Sequence, residues 1–322
     1  MYATLLISVC LAVFALSLVA GLLLVRASLF VLPLPTRTRS FSGLLFATRM
    51  APFTLAVLIS LGLALPAFVV SEPWNSGETP SVRLVALGAF GAAVTAIFLA
   101  RYFRLIVRNR RVVSLWQTRG ERVRLAGVSV PIFSIPGDSA LLAVAGIWRP
   151  TVFVSERILA ELTAEEMRAA VAHESAHIHS FDNFKQMLLR CTRMPGWFGF
   201  AAIERSWSES AELDADWQAL RSGVSPLELG SAIVKVGRCM SSGSPQPAIA
   251  ASHLVPSCDA SALSSRAGRL QAVIADEQFS MGDRAPDRSW RIAFVLLALA
   301  GYTLLLSGSL NAIHEFIEVL VR

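Results

Sequence analysis

Several residue types are scarce in this chain of 322 residues, and each scarcity removes a class of protein. There are four cysteines, Cys10, Cys191, Cys239 and Cys258, and no two of them form a C-x-x-C pair. They suggest neither a disulfide framework nor a cysteine zinc site, and unpaired thiols suit a reducing compartment. Charged side chains make up only 16% of the chain against 54% hydrophobic, with a mean hydropathy of +0.56. That balance is foreign to a soluble protein of this length. Tyrosine occurs three times and histidine five, so phenol and imidazole chemistry is confined to few places.

The shortage of charge is local. Residues 1–25, 51–71, 84–100 and 292–313 contain no charged side chain. Each run is long enough to cross about 30 Å of hydrocarbon at about 1.5 Å per residue. The expectation is four transmembrane helices, near 1–25, 51–71, 84–106 and 292–313, with Pro52 and Pro66 near the ends of the second. No Lys or Arg precedes Leu5, and Arg26 follows the first run. The first segment therefore reads as an uncleaved helix rather than a signal peptide. Arg26, Arg37, Arg39 and Arg49 follow the first segment, Arg101, Arg104, Arg108, Arg110 and Arg111 follow the third, and Arg284, Arg288 and Arg291 precede the fourth. The loop from Ser71 to Val82 carries Glu72 and Glu78 and no basic residue. The positive-inside rule places 26–50 and 101–291 in the cytoplasm and both termini outside. The net charge of +6 is then a topology signal, and no nucleic-acid partner is expected. The chain divides into residues 1–111 with three helices, a cytoplasmic domain at 112–283, and residues 284–322 with the fourth helix and a short external tail.

What is present is a pattern of histidines. His173-Glu174-Ser175-Ala176-His177 sets two imidazoles at i and i+4, one above the other on a helix face, with a carboxylate between them. This is the H-E-x-x-H spacing of zinc peptidases: two ligands and a base for the attacking water. Thr163 and Glu166 form a capping box ahead of Met167, Ala170, Val171, Glu174 and Ile178, which predicts a helix over 164–179. A third ligand comes from the downstream acidic helix, where Glu212 and Asp216 again stand at i and i+4. Glu212 would complete a His-His-Glu set, and Asp216 would accept the free ring N–H of a ligand histidine and hold its tautomer. His179 falls off the face of the motif, His314 lies beyond the last apolar run, and His253 is a weak candidate for stabilising the oxyanion.

The rest of the domain reads as a small sheet beside helices. Strands are expected at 128–135, interrupted by Pro131, at 141–147, and at 151–155 after the turn Trp148-Arg149-Pro150. Helices are expected at 156–162, 164–179, 182–193, around Glu212 and at 259–276, with a flexible stretch at 241–247. The fold class is a mainly α membrane protein with a gluzincin-like α+β peptidase domain.

Gly146-Ile147-Trp148-Arg149-Pro150, Leu162-Thr163-Ala164-Glu165-Glu166, the histidine motif with Ile178, Asp182-Asn183, Pro195, Trp197, Phe198 and Glu212-Leu213-Asp214-Ala215-Asp216 together resemble the BlaR/MecR-type antirepressor peptidases, membrane gluzincins of the bacterial inner membrane. The resemblance is strong over 130–225. It implies Zn2+ held by His173, His177 and Glu212, Glu174 as general base, and Asp182 beside Asp216 as an orienting carboxylate. It further implies regulated cleavage of a repressor-like cytoplasmic protein in signal transduction, prompted through a separate membrane sensor or a second copy of the chain, with self-cleavage between about 241 and 289. Two features depart from the pattern. No penicillin-binding sensor domain follows the last helix, and Ala215 stands where the family often has cysteine. Ala215 also resembles the HtpX and CAAX-processing peptidases, so a quality-control protease is the alternative reading. A membrane signalling module with a purely structural metal is a third, and Glu174 argues against it, because a closed structural site needs no base.

Overall fold

A computed structural model describes residues 2–31, 41–72, 79–125, 130–137, 140–194, 200–241, 251–253, 266, 315 and 318–319. Within them the chain is mainly helical, with one small sheet. The first apolar run forms α1 (Tyr2–Val31). The second is longer than its uncharged core: α2 (Ser42–Ile59) begins nine residues earlier, and a π-helical turn at Ser60–Ala64 joins it to α3 (Leu65–Ser71). The third, α4 (Val82–Arg119), is capped by Ser81, whose hydroxyl accepts from the Leu84 amide. These three stretches are long and apolar enough to cross a membrane. The expected fourth helix at 292–313 lies outside the described residues.

The prolines of the second span correct the sequence reading. Pro52 is inside α2 rather than near an end. Pro66 lies beyond the π turn, and the Leu65 amide donates to Ser60. Pro66 has no N–H for the Gly62 carbonyl and its ring presses on that carbonyl, which favours the wider turn just before it. Helices α1 and α4 meet closely at small residues. A Cβ on Gly91 would lie 2.2 Å from the Leu11 carbonyl oxygen, and one on Gly88 3.2 Å from that of Ser8. Glycine here lets two backbones pack without side chains between them.

Helix α4 does not stop at the membrane boundary. It continues to Arg119 and runs across the expected 111/112 division, and its last turns cover one face of the sheet. Strands β1 (Glu121–Val123), β2 (Ile132–Ile135), β3 (Leu142–Ala145), β4 (Thr151–Ser155) and β5 (Ala251–His253) are ordered β1-β2-β4-β3-β5. Only β2 and β4 are parallel. β1 and β5 were not foreseen, since each is three residues long and shows no alternation. β2 and β3 are shorter than expected. Because β3 and β4 are buried along their whole length, both faces carry apolar side chains, as in a covered sheet. Val112, Val113 and Trp116 of α4 pack on the Phe153 face, with Trp116 5.1 Å from Phe153 ring to ring.

The other face, from Leu142, Val144, Val152 and Val154, packs on α6 (Ala164–His179) and α9 (Pro226–Ser241). Between β4 and α6 lies the short α5 (Glu156–Glu161). After α6 come α7 (Asp182–Cys191) and α8 (Phe200–Arg221). The capping box that announced α6 is formed in both directions, with Thr163 N donating to Glu166 at 2.8 Å. The same carboxylate accepts from Ser231 at 2.6 Å and Lys235 at 2.9 Å on α9. One glutamate thus starts the motif helix and ties down a helix the sequence reading had not identified. A second apolar cluster joins Leu18 and Leu22 of α1 and Leu45, Met50, Phe53 and Ala56 of α2 to Leu189 of α7 and Phe200, Ile203 and Trp207 of α8. The helices of the site therefore share a core with the membrane helices.

Candidate metal centre

The site is built on three helices. α6 presents His173, Glu174 and His177, all buried to 3% exposure or less. α8 crosses it and brings Glu212 and Asp216, and α7 begins with Asp182. The turn between α6 and α7 is held by Phe181 in the left-handed conformation, φ 55°, which folds Asp182 back onto the preceding helix. Asn183 then donates to the carbonyls of Val144 at 3.1 Å and Gly146 at 3.0 Å, fixing the end of β3 beside the site. Gly146 has φ 102°, and a Cβ there would lie 2.5 Å from the Arg149 carbonyl oxygen, so only glycine suits this turn.

Three ligand atoms converge. His173 Nε2 and His177 Nε2 are 3.2 Å apart, and the two oxygens of Glu212 lie 3.4 Å from the first and 3.6 Å from the second. A tetrahedral ion with bonds of roughly 2.0–2.1 Å separates its ligands by about 3.3 Å. Each histidine faces its own Glu212 oxygen at about the separation found between zinc ligands, and one atom from each of the three side chains lies within 4.8 Å of the other two, so the group could hold a metal ion.

The protons point the same way. His177 Nδ1 lies 2.8 Å from Asp182 Oδ2. His173 Nδ1 lies 3.0 Å from Asp216 Oδ1, at ion-pair distance although off the line of a full hydrogen bond. With each Nδ1–H turned to a carboxylate, both Nε2 atoms present lone pairs, and Glu212 adds a third. Three converging lone pairs in a dry site repel one another unless a cation lies among them. Burial alone would lower both imidazoles, but Asp216 and Glu212 raise His173, while Asp182 and Glu212 raise His177 to about 9. Four carboxylates, Glu174, Asp182, Glu212 and Asp216, surround the two rings. Lys185 pairs with Asp182 at 3.1 Å and Arg266 with two of the others. A dication balances the charge that remains.

Glu174 is different. It is fully buried, and among the described residues neither oxygen makes a hydrogen bond of good geometry, though the Val144 backbone contributes a weaker one. Burial pushes its carboxyl up to about 7, against the lowering influence of His177 and His173. A buried carboxylate beside the His-His-Glu group, sparingly hydrogen-bonded and poised near neutrality, suits a proton acceptor.

Arg266 is the residue of the site that the sequence reading missed. Only 4% exposed, it reaches Glu212 Oε2 at 3.0 Å and grips Asp216 with two nitrogens, at 2.5 Å and 3.1 Å. Against the cost of burial, Arg266 holds both carboxyls below their usual range. It lies in the stretch 259–276 expected to be helical, where one arginine among others carries no signal of its partner. His253 sits in β5, its backbone paired with Ala143; its side chain lies outside the described residues. His179 is exposed and bonds only to the Ser175 carbonyl at 2.7 Å.

Helices long and apolar enough to cross a membrane are thus joined to a helix-borne His-His-Glu group that could hold a metal ion. Comparison with known proteins narrows this. Residues 129–257 match the model of peptidase family M48, a stretch that contains the three ligand candidates and Glu174. The chain is 25% identical over 148 residues to Protease HtpX of Cronobacter sakazakii (strain ATCC BAA-894). That alignment covers 42% of this chain and 50% of the relative, so the chain spans about half the length of the curated relative it matches. No solved structure matches.

Proposed function

We propose that this chain is an integral-membrane zinc metalloendopeptidase acting on cytoplasmic protein. The observation that carries this reading is the convergence of His173, His177 and Glu212 beside the buried carboxylate of Glu174. Zinc bound there would polarise the scissile carbonyl and make the attacking water more acidic. Glu174 takes the proton of that water and passes it to the departing amine. Asp182 and Asp216 keep His177 and His173 in one tautomer, and Arg266 keeps Glu212 and Asp216 ionised and in place.

The proposed setting is a bacterial inner membrane with the peptidase domain on the cytoplasmic side, a fourth span at 292–313 and both termini outside. The motif resemblance to the BlaR/MecR group favours a repressor-like substrate and a signal delivered through the membrane helices or a partner protein. Similarity to a protease named HtpX favours the second reading, clearance of damaged membrane proteins. Expressing the wild type beside Glu174→Gln tests both. The variant retains metal and fold and loses at least about 100-fold in peptide cleavage. Wild-type turnover by Glu174→Gln would remove Glu174 from its role. A proteome difference confined to misfolded membrane proteins would select the second reading over the first.

A further inference from the structure

One charged group in the helical bundle is used by nothing described so far. Arg49 sits in α2, within a stretch long and apolar enough to span a membrane, and it is completely buried. Its guanidinium reaches two other helices. Nε and Nη2 both lie 2.9 Å from Glu204 Oε1 of α8, and Nη2 donates to the carbonyl of Thr192, the C-cap of α7, at 2.9 Å. It also lies 4.7 Å from the centre of the Phe200 ring and 5.5 Å from that of Phe53. One turn or two before Arg49 on α2, the Ser42 hydroxyl donates to Asp214 of α8 and the Phe46 ring lies 6.4 Å from Trp207. Contacts therefore run along α8 from Phe200 to Asp214.

The two helices gripped by Arg49 supply three of the four carboxylates of the metal centre, Asp182, Glu212 and Asp216. Glu204 stands about two turns, ~12 Å, before Glu212 on α8, and α7 starts with Asp182. An apolar side chain at position 49 would fill the same space without the cost of burying a charge. What apolar packing does not supply is register, because greasy helix surfaces slide past one another where a forked ion pair does not. Among the described residues Nη1 is buried without a hydrogen-bond partner, while Nε and Nη2 serve the contacts to α7 and α8.

We infer that Arg49 is a positioning residue that locks α7 and α8 to the membrane helix α2, so that the height of α2 sets the placement of Glu212 and Asp182. This rests on the metallopeptidase reading above and names the route by which a membrane event reaches that site. A displacement of α2 along its axis pulls on Glu204 and Asp214 and shifts Glu212 against the two histidines, which leave α6 from a separate core.

The test uses the full chain in lipid nanodiscs, loaded with Co2+ so that the visible absorption reports the ligand set, with cleavage of a fluorogenic peptide measured in parallel. Arg49→Gln and Glu204→Gln are each expected to lower kcat about 10-fold with KM within about 2-fold, as a small misplacement of the reacting groups does. Each is also expected to alter the cobalt band, and the double variant to be no worse than either single one. A folded Arg49→Gln protein with wild-type kcat and cobalt spectrum overturns the inference. If Arg49→Gln does not fold, Glu204→Gln and Ser42→Ala decide, since both positions are only partly buried; wild-type values in both overturn it equally. A wild type that takes up no cobalt overturns the metallopeptidase reading, and the clamp falls with it. A wild type that binds metal and cleaves while the variants are unaffected overturns the clamp alone.

Discussion

Glu212 does more at the site than its neighbours. It offers one oxygen to each histidine, lies on a different helix from both, and is bound to Arg266. Replacing it by Ala removes one of the three candidate ligand side chains and one of the carboxylates that pair with Arg266. The expected result is loss of most bound metal, read by mass spectrometry of the purified chain; full occupancy in Glu212→Ala would assign the third ligand elsewhere. The histidine motif was legible in the sequence because i,i+4 spacing is a property of one helix. Glu212 and Asp216 were legible for the same reason. Arg266 was not, because its partner Asp216 is 50 residues away and no periodicity connects them.

At the scale of the element, α6 illustrates how a local signal takes on a tertiary role. Its expected span coincides with Ala164–His179, because capping boxes are read from four adjacent residues. Yet Glu166 is also the anchor for Ser231 and Lys235 of α9. Burial pushes its carboxyl up, but Lys235, Ser231 and the Thr163 amide together hold it down at about 2. A carboxyl lowered from its ordinary 4.5 stabilises the fold fully above that value, and the contribution is lost as pH falls toward 2. Glu166→Gln is therefore expected to cost about 1–2 kcal/mol near neutral pH, discounted for the partly exposed Lys235. The gap between variant and wild type in thermal denaturation should narrow on acidification through about pH 4 and below. A gap independent of pH would mean that the charge of Glu166 contributes nothing. The strands were less legible. β4 forms over the expected 151–155 and β3 within the expected 141–147, but β1 and β5 are too short to alternate.

At the scale of the molecule, the peptidase region and the membrane helices are one packed body in the described residues. α4 passes from one to the other without a break, and α2 shares its core with α7 and α8. A tethered domain on a flexible linker would transmit nothing; a shared core transmits displacement. The topology proposed from the arginine asymmetry along the sequence has residues 101–291 in the cytoplasm and both ends outside. Reporter fusions after Arg111 and after Arg322 are expected to be active on opposite sides of the membrane, the first inside and the second outside. Activity of both on the same side would remove the fourth span from the topology.

What the sequence determined by itself is what depends on near neighbours. It set the three apolar spans described here, the start of α6, the pairing of His173 with His177 and of Glu212 with Asp216, and the turn at Trp148-Arg149-Pro150. Helix periodicity, caps and hydrophobic length are written within a few turns of chain. Only the tertiary structure decided that the polar atoms of His173, His177 and Glu212 approach to 3.2–3.6 Å, each histidine facing its own Glu212 oxygen, that Arg266 lies against Glu212, that α4 roofs the sheet, and that Arg49 meets Glu204 across 155 residues of sequence. Such contacts arise from the packing of whole helices, where a charge finds its partner because both are enclosed together. No spacing along the chain encodes that.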